Sequence, residues 1–174
     1  MNVDRYAFEW LNDGPEWRWL RVPQQLGTPW ALVGTAGLLA STGRQRDAIA
    51  ALVALPVLKG TEVVIKETLK RPRPVYRVPT ALRDDAPVEG GSMPSGHAAL
   101  AAAAAYFLSS LTPTWLSPAL WGATGIACTV RVHQGAHWPS DTVVGATLGA
   151  AVAATATAVA HRLPPAAQER WLHT

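Results

Sequence analysis

Residues 98–130 read AALAAAAAYFLSSLTPTWLSPALWGATGIACTV, a run of 33 residues without one charge. Pro113 and Pro118 interrupt it, because proline lacks the N–H that a helix interior needs. The run therefore predicts two apolar helices, about 98–111 and 115–130, joined by a tight turn. Downstream, Thr142 to Ala160 adds 19 uncharged residues, closed by His161 and Arg162. Upstream, Val22 to Gly43 adds another 22. At about 1.5 Å per residue that length reaches across a hydrocarbon core of about 30 Å. Pro23, Pro29 and the glycines confine its helical part to about Thr28–Thr42. Arg44 and Arg46 follow at once and predict a cytoplasmic anchor.

The segment from Asp47 to Leu69 is apolar at its start but admits Lys59, Glu62 and Lys66. Spacings of three and four residues place these on one helical face. Ionisable groups inside a span face a protein interior or a wet cavity. From Pro74 to Met93 the chain is polar and rich in Pro and Gly, which predicts a loop. The stretch up to Leu20 mixes Phe8, Trp10, Leu11, Trp17 and Trp19 with charges, breaks at Gly14-Pro15, and suits an interfacial helix. Trp30, Trp115 and Trp138 fall at segment ends, where an aromatic belt would sit. The expected fold is an all-α integral-membrane helix bundle, one domain over residues 1–174. It has about five transmembrane helices, an N-terminal interfacial segment over 1–25 and an active-site loop over 74–93. The count becomes six if the N-terminal segment is itself a degraded span.

Composition narrows the function. Charged residues are 16% of the chain, below the roughly 25% of a soluble domain. Mean hydropathy is only +0.10, so the pattern along the chain carries the membrane argument. A net charge of +3 without a basic stripe does not indicate nucleic acid. Cys128 is the only cysteine, which excludes an intramolecular disulfide.

Three polar clusters remain: Lys66 to Pro74, Pro94-Ser95-Gly96-His97, and Arg131 to Asp141. Each lies at the end of an apolar segment. Threading the helices alternately through a bilayer brings all three to one surface, with Arg44–Asp47 and Thr112–Thr114 on the other. Lys66, Arg73 and Arg131 then supply three positive charges, and arginine grips phosphate through parallel hydrogen bonds. Ser95 and Gly96 at a helix start offer a hydroxyl and free N–H groups to an anion. Pro139 at the first helical position puts Asp141 at the third, from where its side chain reaches back. It is placed to hold one ring N–H of His137 and leave the other nitrogen as a nucleophile. His97 is placed to protonate a leaving alkoxide. His133, His137 and Asp141 also have spacing for zinc, but three neighbouring cations would repel the ion.

These clusters resemble the three signature motifs of the type 2 phosphatidic acid phosphatase superfamily, which includes class A acid phosphatases and vanadium haloperoxidases. Lys66, Arg73 and Pro74 match Lys-x6-Arg-Pro, whereas Arg71-Pro72 has the wrong spacing. Pro94 to His97 match Pro-Ser-Gly-His in full. Arg131, His137 and Asp141 match Ser-Arg-x5-His-x3-Asp, with Val130 replacing the serine. The resemblance implies a membrane lipid phosphatase working without metal or cofactor through a phosphohistidine. It implies that Lys66, Arg73, Ser95, Gly96, His97 and Arg131 contact the phosphate, that His137 attacks and that Asp141 orients it. It also implies a multi-pass plasma-membrane location with an extracytoplasmic site. Phosphatidate, phosphatidylglycerol phosphate and polyprenyl diphosphates such as undecaprenyl diphosphate are substrate candidates. The alternatives are a soluble acid phosphatase or haloperoxidase-like enzyme and a non-catalytic binder of lipid phosphates.

Overall fold

A computed structural model describes residues 3–15, 21–83 and 86–164. Trp17, Trp19 and Leu20 of the expected interfacial helix lie outside the described residues, as do Asp84 and Asp85 of the loop. The described residues are helical or irregular, with no strand among them. The helices are α1 (Val3–Asn12), the short α2 (Arg21–Gln24) running into a 3-10 turn, α3 (Pro29–Ser41), α4 (Gln45–Leu69), α5 (Gly96–Ser109), α6 (Ser117–His133) and α7 (Pro139–Arg162).

Local chemistry sets these boundaries. Thr28 caps α3 by accepting the Ala31 N–H at 3.4 Å, with Pro29 at the first helical position. α3 ends at Ser41, and Gly43, with a φ of +78°, turns the chain into α4. Lys70 takes a left-handed conformation at the end of α4, and Pro72 and Pro74 prevent continuation. Ser95 caps α5, its Oγ accepting the Ala98 N–H at 3.5 Å.

α5 is the central helix. Ala98 to Ala105 are all buried, and α5 packs against α3, α4, α6 and α7. Alanine is the residue that allows this, because its small side chain lets several backbones approach one helix. The closest approach is to α7: a Cβ on Gly149 would lie 2.0 Å from the Ala99 carbonyl, and one on Gly145 would lie 2.4 Å from that of Ser95. The core is built from Leu32, Leu39, Leu58, Leu100 and Phe107 with alanines between them. A second cluster, Phe8, Val78, Val132 and Trp138, lies under α1.

The exterior is apolar as well. Val53, Val57, Val63, Val64, Val143 and Val159 are exposed. The helical run from Gln45 and α7 are long and apolar enough to cross a membrane. Only 28% and 22% of their most apolar stretches are buried, so they are not the enclosed helices of a soluble core. α3 and α5 are apolar but shorter, at 13 and 14 residues. Trp30 and Trp115 are exposed near helix ends, whereas Trp138 is 7% exposed and packs inside. The expectation that Trp138 belongs to an outer belt is therefore corrected: its ring meets Phe8 at 5.2 Å and its Nε1–H donates to the Pro72 carbonyl at 3.0 Å.

Candidate active site

The three clusters meet at one end of the bundle. The Ser95 N–H donates to the Asp141 carbonyl at 3.0 Å, joining the second cluster to the third. The Arg73 guanidinium donates to the Ala136 carbonyl at 2.7 Å and, through Nε, to that of Glu89 at 2.9 Å. Arg73 is 3% exposed, and burial lowers its pKa while the Asp141 and Glu62 charges oppose the shift. Gly91 passes so close to α4 that a Cβ there would lie 2.9 Å from the Lys66 carbonyl. The loop after α4 is thereby fastened to the end of the helix that carries Lys66.

Lys66 donates to Glu62 at 2.6 Å, and Lys59 reaches the same carboxylate at 3.0 Å. That carboxylate lies against Gly96, where any Cβ would fall within 2.5 Å of its atoms. A negative group thus lies at the start of α5, where the helix dipole and free N–H groups favour an anion. Arg131 is 6% exposed; its Nη1 donates to Gln134 at 2.6 Å, while its Nε is buried with no partner. A buried guanidinium N–H without an acceptor is costly, and an anionic ligand would satisfy it. His97 lies close enough to Arg131, His137 and Glu62 to feel their charges. Gly27 allows the turn after α2 to cover His97, since a Cβ would lie 2.7 Å from the His97 carbonyl and 3.1 Å from its ring.

His137 is 3% exposed in the bend between α6 and α7. Its Nδ1–H donates to the Ser92 carbonyl at 2.7 Å. A carbonyl only accepts, so this bond fixes the proton on Nδ1 and leaves the lone pair on Nε2. Burial lowers the His137 pKa, and the Arg131 and Arg73 charges lower it further, against Asp141. The expected partner, Asp141, is 3.8 Å from Nδ1. It does reach back, but to the Trp138 N–H, at 2.9 Å. Asp141 therefore acts on His137 as a fully buried charge beside the ring, while the Ser92 carbonyl takes the hydrogen bond.

Two further residues escaped the sequence reading. Arg71, set aside for its spacing, donates to Asp141 Oδ1 at 2.7 Å, to Ser140 Oγ at 2.6 Å and to Asp4 at 2.5 Å. Asp4, on α1, also accepts the Ser140 N–H at 2.9 Å and its hydroxyl at 2.8 Å. These bonds from Ser140, with Arg71, hold the Asp4 carboxyl below the usual carboxylate range although burial opposes them. The Arg-Pro-Arg-Pro run was the only available signal, and it does not say which arginine does what.

The other expected roles divide. His133 shapes the loop, its Nδ1 lying 2.9 Å from the Leu11 carbonyl. Arg83, in the loop expected over 74–93, donates to the His133, Asn12 and Gly14 carbonyls at 2.7, 3.0 and 2.7 Å. Glu89 offers its backbone to Arg73, and Arg77 is exposed. Val130, in place of the motif serine, is 3% exposed.

Cations, a helix start and an imidazole with one free nitrogen form a place to bind a phosphoryl group and transfer it. The model of the PAP2 superfamily matches residues 47–164, which contain all three clusters. The decaprenylphosphoryl-5-phosphoribose phosphatase of Mycobacterium tuberculosis, in two strains, is 32% identical over 130 residues, 75% of this chain and 71% of that protein. The fold is similar to that of Aquifex aeolicus LpxE, with a TM-score of 0.78 and 21% identity over 90% of this chain and 95% of the other. It is also similar to a transmembrane PAP2-type phosphatidylglycerolphosphate phosphatase from Bacillus subtilis, with a TM-score of 0.67 and 22% identity over 94% and 87%. Motif order, fold and sequence agree, and the chain belongs to the PAP2 superfamily.

Proposed function

We propose that this chain is a multi-pass membrane phosphatase that cleaves a lipid phosphate through a phosphohistidine on His137. The observation that carries this is the 2.7 Å bond from His137 Nδ1–H to the Ser92 carbonyl, which leaves Nε2 unprotonated among cations. Lys66, Arg73, Arg131 and the Ser95–Gly96 turn bind the phosphate oxygens. Nε2 attacks phosphorus, the bond to the lipid oxygen breaks, and His97 gives that oxygen a proton. A water then attacks phosphorus, the phosphorus–nitrogen bond breaks with its electron pair returning to Nε2, His97 takes the water's proton, and inorganic phosphate leaves with His137 restored. Asp141 stabilises the positive ring during the intermediate.

Helices α3 to α7 are the five spans in this reading. Arg44 and Arg46, at the opposite end from the site, face the cytoplasm, which puts the site on the extracytoplasmic side of the plasma membrane. The 32% identical relative favours a phosphate on a polyprenyl-linked sugar as substrate. Phosphatidate, phosphatidylglycerol phosphate and undecaprenyl diphosphate are the competitors. The test is phosphate release by purified protein in detergent with EDTA, against that panel and with His137→Ala alongside. Turnover of at least one lipid phosphate, abolished in the folded variant, is expected. Undiminished turnover in His137→Ala would overturn the mechanism.

A further inference from the structure

The site is braced from outside its three motifs. From α1, Asp4 holds Arg71 at 2.5 Å and caps the first turn of α7 through Ser140. Arg71 in turn holds the Asp141 carboxylate, and its guanidinium lies 5.7 Å from the centre of the Trp138 ring. Several contacts fasten α1 in that position. Phe8 is fully buried against Trp138, and Asn12 donates to the Ala81 and His133 carbonyls at 2.9 Å each while accepting the Ala81 N–H at 2.8 Å.

We infer that Arg71 and Asp4 are positioning residues for phosphoryl transfer, with α1 serving as the brace that sets the place and effective charge of Asp141 beside His137. This rests on the phosphohistidine reading above. Asp141 is fully buried, so its charge acts strongly on whatever faces it. One oxygen is engaged by Arg71 and the other by the Trp138 N–H. Freed from Arg71, the carboxylate would keep only the Trp138 N–H as its tether. Its charge would also act on His137 with one cation fewer beside it, leaving Arg131 and Arg73 to oppose it. Asp4 has the opposite effect, because it offsets part of the charge of Arg71.

The groups facing His137 are Asp141 from α7, Arg131 from α6, Arg73 from the loop after α4, His97 from α5 and the Ser92 carbonyl. Only Asp141 among these is held by Arg71. The two substitutions should therefore move the His137 titration in opposite directions. Arg71→Gln removes a positive charge and raises it; Asp4→Asn removes a negative charge and lowers it.

The experiment is a 15N NMR titration of the histidines of the full chain in micelles, with His137→Gln for assignment, together with kcat and KM on a lipid phosphate. Expected are opposite shifts and a fall in kcat of about tenfold in Arg71→Gln with KM changed less than twofold. Arg71→Lys, which keeps the charge, should restore the titration but not the full kcat. Arg5→Gln, at an exposed residue paired with Glu9, should change neither. Shifts of the same sign, as simple loosening of α1 would give, or no shift, overturn the inference. The titration decides this without turnover, whereas a wild type inactive on every lipid phosphate would count against the phosphatase reading.

Discussion

A methyl group added at Gly149 is expected to part the two helices that carry the second and third clusters. The new Cβ would lie 2.0 Å from the Ala99 carbonyl oxygen, 2.7 Å from its carbon and 2.9 Å from its Cα. Ordinary contact begins at 3.4 Å, so α5 and α7 must separate by about 1.4 Å. Both partners are backbone in the middle of helices, and no rotamer change relieves the clash. Overpacking a core costs about 1–3 kcal/mol, and a backbone clash belongs at the upper end. Alanine recovers about 1 kcal/mol of helix propensity over glycine. Gly149→Ala should therefore lose about 2 kcal/mol net. The same separation strains the bond from the Ser95 N–H to the Asp141 carbonyl, two turns nearer the site, and a 1 Å misplacement there costs up to about 100-fold in rate. Thermal unfolding in detergent and kcat are the readouts. Gly37→Ala in α3 and Gly122→Ala in α6, where a Cβ meets nothing within 4 Å, are the controls and should be neutral or stabilising. Wild-type stability and kcat in Gly149→Ala would refute the close-packing argument.

Two further predictions follow from the electrostatics of the site. Burial lowers the His137 pKa, and in the proposed mechanism the neutral ring attacks, so kcat/KM should fall with acid only below the ordinary histidine value of about 6.5. A pH profile with its acid limb at or above that value would contradict the assignment. Glu62→Gln removes a negative charge that faces the start of α5 and engages Lys66 and Lys59, so inorganic phosphate and vanadate should inhibit at lower concentrations. Unchanged or weaker inhibition would show that Glu62 does not compete with an anion at the start of α5.

Much of the fold was legible because apolar helices announce themselves locally. The limits of α3, expected at 28–42, fall at Pro29–Ser41, since Thr28, Pro29 and Gly43 are short-range signals. α4, expected from Asp47 to Leu69, runs Gln45–Leu69, and α5, expected at 98–111, runs Gly96–Ser109. Side-chain partnership was less legible. The aromatic-belt expectation failed at Trp138 because position in sequence does not tell which face of a helix end meets another element. Arg71 was dismissed because spacing along the chain cannot show that a residue on α1 stands opposite it.

The sequence by itself determined the helical class, the meeting of the three clusters at one end and the residue types of the candidate site. Alternating apolar runs constrain direction through a bilayer, and charge pattern and motif spacing are one-dimensional properties. Only the tertiary structure decided which oxygen accepts the hydrogen bond from His137 Nδ1, which arginine restrains Asp141 and that Asp4 of α1 joins the site. Those contacts depend on distances of a few tenths of an ångström between residues up to 136 positions apart, which packing sets and local sequence does not encode.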